Sequence, residues 1–73
     1  MNDSIFSKGI KKLEAAFRVN QLSVDSLRIY HNKLSEVEEL KFERAVDEII
    51  DNEDFFPSIH KLKKYCKPQG VVL

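Results

Sequence analysis

Two histidines and one cysteine are the side chains of this sequence best suited to holding a metal ion: His31, His60 and Cys66. A metal site needs several such ligands, or carboxylates, at a spacing that brings them together. His60 and Cys66 are six residues apart, which places them on nearly opposite sides of a helix. We therefore interpret the histidines as surface residues and Cys66 as a half-buried thiol. The expected protein holds no metal ion and no cofactor.

Carboxylates and nucleophiles are present, but not in a catalytic pattern. Paired carboxylates such as Glu38 and Glu39 lie in a strongly charged stretch, whereas a general acid needs a buried, perturbed carboxyl group. No Gly-x-Ser-x-Gly sequence occurs, and two isolated glycines, Gly9 and Gly70, cannot form a phosphate-binding loop. The sequence therefore predicts a protein that is not an enzyme.

The charged residues balance overall, with twelve bases and twelve acids, but they are segregated along the chain. The net charge is +3 over residues 1–34, −7 over residues 35–54 and +4 over residues 55–73. The interpretation we prefer is that the acidic segment packs beside basic neighbours through weak surface pairs. The alternative is an acidic face that guides a basic partner into place. Its residues would be Glu36, Glu39, Glu43, Asp47 and Asp51.

The basic C-terminal segment could contact nucleic acid through its lysines. Its charged side chains are His60, Lys61, Lys63, Lys64 and Lys67. Arginine, the better bidentate reader of bases, is absent from this segment. A net charge of zero is also a poor basis for wrapping duplex DNA. We prefer a solvated face, with phosphate contact by the four lysines as the alternative.

Two adjacent aromatic residues, Phe55 and Phe56, precede Pro57. Two neighbouring rings in such a segment cannot easily both point inward. The simpler interpretation is that one fills the core while the other covers a helix end. The alternative is that one is an exposed anchor for a partner.

Apolar residues repeat every three or four positions, which predicts helices. These helices would position the charged and aromatic residues described above. A first helix over residues 4–18, capped by Asp3 or Ser4, aligns one apolar stripe. A second helix over residues 24–34 is capped by Ser23. The first stripe is Phe6, Ile10, Leu13 and Phe17, and the second is Val24, Leu27, Tyr30 or His31, and Leu34. Gly9 weakens the first helix unless another backbone packs against it.

Two further helices complete the predicted fold. The sequence Ser35-x-x-Glu38 is that of a capping box, which predicts a third helix from Ser35 to about Asn52. The fourth is expected over residues 58–67, ended by Pro68 and Gly70. The core residues of the third helix would be Phe42, Ala45, Val46 and Ile49, with Val37 and Ile50 at its edges; the fourth presents Ile59, Leu62, Tyr65 and Cys66. No stretch alternates as a strand would, so the prediction is an all-α bundle of about four short helices without a sheet.

The size and composition of the chain limit the number of domains, the cell compartment and the possible membrane association. Its 73 residues allow one domain, which we place at 1–68 with a short tail at 69–73. A single cysteine cannot form an intramolecular disulfide, which favours a reducing cytoplasm. No secretory signal or membrane-spanning stretch is visible in the sequence. We expect no membrane partner.

Three groups of residues together carry a resemblance to a known family. Tyr30 is followed four residues later by Leu34; a Ser-led acidic segment carries Phe42-Glu43-Arg44-Ala45-Val46 and Ile49; and Phe56-Pro57-Ser58-Ile59 is followed by Leu62. This pattern, over about residues 13–65, resembles the folded domain of phage helicase loader/inhibitor proteins and related small phage replication factors. The resemblance implies an all-helical domain that binds the replicative helicase or an initiator and controls its loading. If a phage encodes the chain, the expected compartment is the host cytoplasm. Proteins of that family often carry a long flexible tail that contributes to helicase contact, whereas this sequence ends at Leu73, which points to a binding or inhibiting role.

The sequence therefore predicts a non-enzymatic protein-binding module. Its expected partner is a replication component such as the replicative helicase, its loader or an initiator, or another host factor. The partner-binding candidates are the acidic face, as Glu36, Glu39, Glu43 and Asp47, together with Phe55 and Phe56. The alternatives are a small DNA-binding regulator that uses the last helix, and a homodimeric inhibitor of a host defence protein. The chain is expected to be a monomer or a homodimer.

Overall fold

A computed structural model describes residues 2–66 of the chain, which form four α-helices. In chain order these are α1 (Asp3–Phe17), α2 (Val24–Lys33), α3 (Glu39–Asn52) and α4 (Ile59–Cys66). No strand occurs among the described residues, so the predicted all-α class is confirmed. None of these helices is long and apolar enough to cross a membrane. The predicted tail at 69–73 lies outside the described residues.

The first helix begins one residue earlier than expected. The cap is Asn2, whose Oδ1 accepts the Ser4 N–H at 2.6 Å, and not Asp3 or Ser4. At the other end Arg18 takes a left-handed conformation with φ of 55°, which turns the chain out of the helix. The Glu14 carbonyl accepts the Val19 N–H at 3.1 Å, and so closes the last turn.

The second helix begins as predicted, with Ser23 as its cap. The Ser23 hydroxyl oxygen accepts the Ser26 N–H at 3.1 Å. No residue between Val24 and Lys33 is fully buried. Leu34, which follows the helix directly, is fully buried. This helix is therefore held to the bundle by half-buried side chains, while Val24 remains exposed.

The predicted capping box at the start of the third helix is wrong. The helix begins at Glu39, and Glu38 occupies the cap position without a side-chain hydrogen bond. The Ser35 hydroxyl instead donates to the Asn32 carbonyl at 3.0 Å, and the Leu34 carbonyl accepts the Val37 N–H at 3.0 Å. Burial of Leu34 fixes this turn, so Ser35 closes the end of α2 rather than opening α3.

The third helix is the centre of the bundle and packs against both α1 and α4. The apolar stripes predicted for α1 and α3 supply most of the core, with Phe17 only half-buried. The buried apolar residues are Phe6, Ile10, Leu13, Leu34, Phe42, Ala45, Val46, Ile49, Leu62 and Cys66. Gly9 is also buried, and the neighbour that requires its small size is the Phe42 ring rather than a backbone.

The fourth helix begins directly after Ser58. The Ser58 hydroxyl oxygen accepts the Lys61 N–H at 3.2 Å, and its carbonyl accepts the Leu62 N–H at 2.9 Å. Leu62 and Cys66 are buried on the inner side of the helix. The expected last helical residue, Lys67, lies outside the described part of the chain.

Candidate protein-binding surface

Phe55 is the most exposed large apolar side chain among the described residues, with 82% of its surface accessible. It lies in the six-residue connection between α3 and α4, residues 53–58. The neighbouring Phe56 is half-buried. The structure thus separates the two adjacent rings: Phe56 is half-buried, and Phe55 lies in solvent.

Glu53 anchors the connection on the N-terminal side of Phe55. The Tyr65 hydroxyl donates to Glu53 Oε2 at 2.7 Å, and Lys61 Nζ lies 3.3 Å from Oε1. The hydrogen bond from Tyr65, followed by the one from Lys61, lowers the pKa of Glu53 below its usual value. The same bond to Glu53 raises the pKa of the Tyr65 phenol. Lys61 and Tyr65 of α4 therefore hold Glu53, and with it the end of α3, in place.

An aromatic cluster anchors the connection on the C-terminal side. The Phe56 ring packs edge-on against Phe17, with centroids 6.5 Å apart, and against Tyr30 at 6.4 Å. The Tyr30 hydroxyl donates to the carbonyl of the buried Pro57 at 3.1 Å, and burial raises the pKa of this phenol. These contacts join α1, α2 and the connection at one end of the bundle. We call Phe17, Tyr30, Phe55 and Phe56 the aromatic end.

Fixed residues on both sides give Phe55 a defined position although its ring is in solvent. Exposing a large aromatic side chain forgoes the free energy that its burial would contribute. Chain segments that are already ordered lose less conformational entropy on binding. The aromatic end therefore has the character of a preformed anchor for an apolar pocket on another molecule.

The predicted acidic face is altered in two respects. Glu36 is not part of the row, because it lies in the turn before α3 rather than on the helix. Two other members lie beside α1: the Asn2 N–H donates to Glu39 at 3.0 Å, and Lys12 pairs with Asp47. Asp51 is exposed near the C-terminal end of α3. Glu43 lines a cleft of about 340 Å³ together with Lys12. This arrangement agrees with the preferred interpretation, in which acidic residues pair loosely with basic neighbours.

The basic residues of the last helix also differ in whether they are paired within the chain. Lys61 is engaged with Glu53, while Lys63 and Lys64 are exposed. The fourth predicted contact, Lys67, lies outside the described residues. The described part of α4 thus offers Lys63, and Lys64 beside Glu53, as exposed lysines without an ion pair that could meet a phosphate backbone.

The largest described groove, about 590 Å³, lies between the end of α2, the turn that follows it and α4. Its charged lining is mixed: Lys33, Glu36, Glu38, Lys41 and Lys63. Cys66 also lines the groove, and burial raises the pKa of its thiol to about 11, so the thiol stays protonated and is a poor nucleophile near neutral pH. Lysines and carboxylates on the same walls give the groove no preference for an anion or a cation.

The histidines do not form a metal site with their neighbours. His31 is half-buried rather than on the surface, and its ring meets the Phe6 ring edge-on at 4.8 Å. Its Nε2 lies 2.9 Å from Asp3 Oδ1 without the alignment of a hydrogen bond, so this contact is ionic only when the imidazole is protonated. Within residues 2–66 no three His, Cys, Asp or Glu side chains are grouped closely enough to hold a metal ion.

Comparison of the chain with protein-family models, with curated proteins and with solved structures finds no match. The residues that carry the phage-family resemblance have structural roles in this fold. Leu34, Phe42, Ala45, Val46, Ile49 and Leu62 are core residues. Ser58 begins α4, and Phe56 packs within the aromatic end.

Three residues of the surface were not singled out from the sequence as site residues: Tyr30, Glu53 and Tyr65. Each acts through a partner far along the chain, as the contacts of Tyr30 with Pro57 and of Glu53 with Tyr65 illustrate. The only local signal is that Tyr65 and Lys61 lie four residues apart on one side of a helix, where both can reach one carboxylate.

Proposed function

We propose that this chain is a non-enzymatic protein-binding module that docks on its partner through the aromatic end, with Phe55 as the anchor. The observation that supports this most directly is a connection that is held by contacts on both sides and presents a phenylalanine with 82% of its surface in solvent. Aromatic anchors that enter a partner's pocket are the residues that dominate the energy of protein interfaces.

The partner that we propose is a component of a replication machinery, in first place the replicative helicase or its loader. This part of the proposal rests on the family resemblance of residues 13–65. The all-α fold is what that resemblance implies, and Phe55 lies next to the Phe-Pro-Ser-Ile segment that belongs to the shared pattern. In this proposal the chain regulates its partner by occupying a surface rather than by catalysis.

Both the docking surface and the partner can be tested by a binding measurement. The measurement uses the purified replicative helicase of the cell in which the gene is found. Phe55→Ala removes the anchor, and an anchor residue contributes about 2 kcal/mol or more to binding, so affinity should fall roughly thirtyfold. Leu40→Ala is the matched control, because Leu40 is also exposed, at 76%, but lies at the opposite end of α3. Equal affinity of the two variants would exclude the aromatic end as the docking site.

A photocrosslinking amino acid at position 55 tests the identity of the partner independently of the role of the surface. Crosslinking in cells to a protein other than the helicase would replace the proposed partner but keep the protein-binding role. The same crosslinker at position 40 is the control for chance encounters. Equal crosslinking from positions 55 and 40 would contradict the role proposed for the aromatic end.

A further inference from the structure

The carboxylates on and just after α3 differ in whether the chain itself compensates them. Glu39 accepts a backbone N–H, Asp47 pairs with Lys12, and Glu53 is held by Tyr65 and Lys61. Asp51 and Asp54 are exposed and make no ion pair or hydrogen bond with the described residues. Both of them lie within four residues of Phe55 along the chain. Glu43 and Glu48 make no ion pair with the described residues either, but they lie farther from Phe55 along the chain.

The helix itself adds to the negative potential at this point. The C-terminus of an α-helix carries a partial negative charge, because its last carbonyl groups have no partner within the helix. α3 ends at Asn52 without a basic residue in its last turn to offset that charge. Phe55 follows three residues later, so along the chain it comes shortly after two uncompensated carboxylates and the negative end of a helix.

The nearby lysines do not cancel this potential. Lys61 is already paired with Glu53, and Lys64 lies in a small cavity lined by Glu53 and Tyr65. The positive charges of Lys61 and Lys64 therefore act on Glu53, whose pKa they help to lower. Asp51 and Asp54 are exposed and have no such partner among the described residues.

From this juxtaposition we infer that the pocket that receives Phe55 is apolar at its floor and bordered by lysine or arginine side chains. The inference rests on the proposed function, since it specifies the partner chemistry of the same surface. Basic residues at the border would meet Asp51 and Asp54 as the ring enters, which speeds encounter and fixes orientation. A partner bordered by carboxylates would be repelled at the same positions.

Two designed peptides test this chemistry without knowledge of the natural partner. Each is an amphipathic helix of about 14 residues with the same leucine face; one carries lysines on its polar face and the other glutamates. Amide chemical shifts of the full chain are followed by nuclear magnetic resonance as each peptide is added. The lysine peptide should shift the resonances of residues 51–56 in a saturable manner, and the glutamate peptide should not.

Two double substitutions distinguish the effect of charge near Phe55 from the effect of the total charge of the chain on peptide binding. Asp51→Asn with Asp54→Asn should weaken the lysine peptide roughly fivefold to thirtyfold, the effect of two exposed ion pairs. Glu36→Gln with Glu38→Gln removes the same number of charges at the other end of α3, about 21 Å away, and should leave affinity nearly unchanged. Phe55→Ala should abolish the localised shifts.

Equal binding of the two peptides, equal weakening by the two pairs of substitutions, or failure of both peptides to bind at residues 51–56 would each overturn the inference. None of these outcomes decides the proposed function, which fails if Phe55→Ala and Leu40→Ala bind the protein partner alike or if positions 55 and 40 crosslink equally. The two failures are therefore distinguishable.

Discussion

The Phe42 ring occupies the space in which a side chain at position 9 would begin. A Cβ atom built on Gly9 would lie 2.7 Å from Phe42 Cζ and closer still to Cε2, well inside van der Waals contact. Phe42 is fully buried, so its ring has little room to move away. The crossing of α1 and α3 therefore depends on a glycine within a helix.

The first prediction is that Gly9→Ala destabilises the protein although alanine is the better helix former. Overpacking a core costs about 1–3 kcal/mol, which exceeds the gain in helix propensity of up to about 1 kcal/mol. Urea denaturation should show a lower free energy of unfolding for Gly9→Ala and nearly no change for Ser7→Ala, an exposed residue of the same helix. A more stable Gly9→Ala variant would mean that α1 and α3 pack less closely than described.

The second prediction concerns the hydrogen bond that ties α2 to the connection carrying Phe55. Tyr30→Phe removes the donor to the Pro57 carbonyl and should cost about 0.5–1.5 kcal/mol of stability, because the half-buried acceptor loses its partner. Amide hydrogen exchange of Leu62, whose N–H is bonded to the Ser58 carbonyl directly after Pro57, should accelerate more than exchange in α1. Uniform exchange across the chain would show that this bond does not restrain the aromatic end.

These contacts also mark what the sequence could and could not establish. The buried stripes of α1 and α3 were predictable, because helical spacing alone decides which side chains share a face. The start of α3 was not, because Ser35-x-x-Glu38 is a local pattern whereas burial of Leu34 decides how the serine is used. The choice between Phe55 and Phe56 depends on Phe17 and Tyr30, which are distant in sequence.

The third prediction is a pH dependence at the Glu53–Tyr65 pair. The folded-state pKa of Glu53 is lowered, so its contribution to stability is present above the unfolded-state pKa and is lost as the pH falls through the folded-state value. The pKa of Tyr65 is raised, so its contribution is present below the unfolded-state pKa of about 10 and is lost as the pH rises through its folded-state value. The pair therefore stabilises the fold between these two limits.

Urea denaturation over a series of pH values measures this dependence. Glu53→Gln should lower stability near neutral pH, and its difference from wild type should shrink as the solution becomes acidic below about pH 4. Glu43→Gln, which removes an exposed carboxylate of α3, is the matched control. A difference that stays constant down to acidic pH would contradict the role of the Glu53 carboxylate.

The fourth prediction concerns the thiol of Cys66. Burial raises its pKa to about 11, so near neutral pH almost no thiolate is present and the side chain is shielded from reagents. A thiol-reactive dye should modify the folded chain slowly, at a rate limited by opening of the structure, and the urea-unfolded chain rapidly. Because this is the only cysteine of the sequence, every modification reports on this position. Rapid modification of the folded chain would show that α4 detaches readily from α3.

The fifth prediction addresses the ion pair between Lys12 and Asp47, on which the interpretation of the acidic residues depends. Both side chains are more than half exposed, so solvent screens their attraction and holding two long side chains together costs entropy. A double-mutant cycle with Lys12→Ala and Asp47→Ala should give a coupling of at most about 1 kcal/mol, reduced further at high salt. A larger, salt-resistant coupling would make this pair a principal support of the contact between α1 and α3. The small coupling expected here means instead that apolar burial around Gly9 and Phe42, rather than surface charge pairs, holds the two helices together.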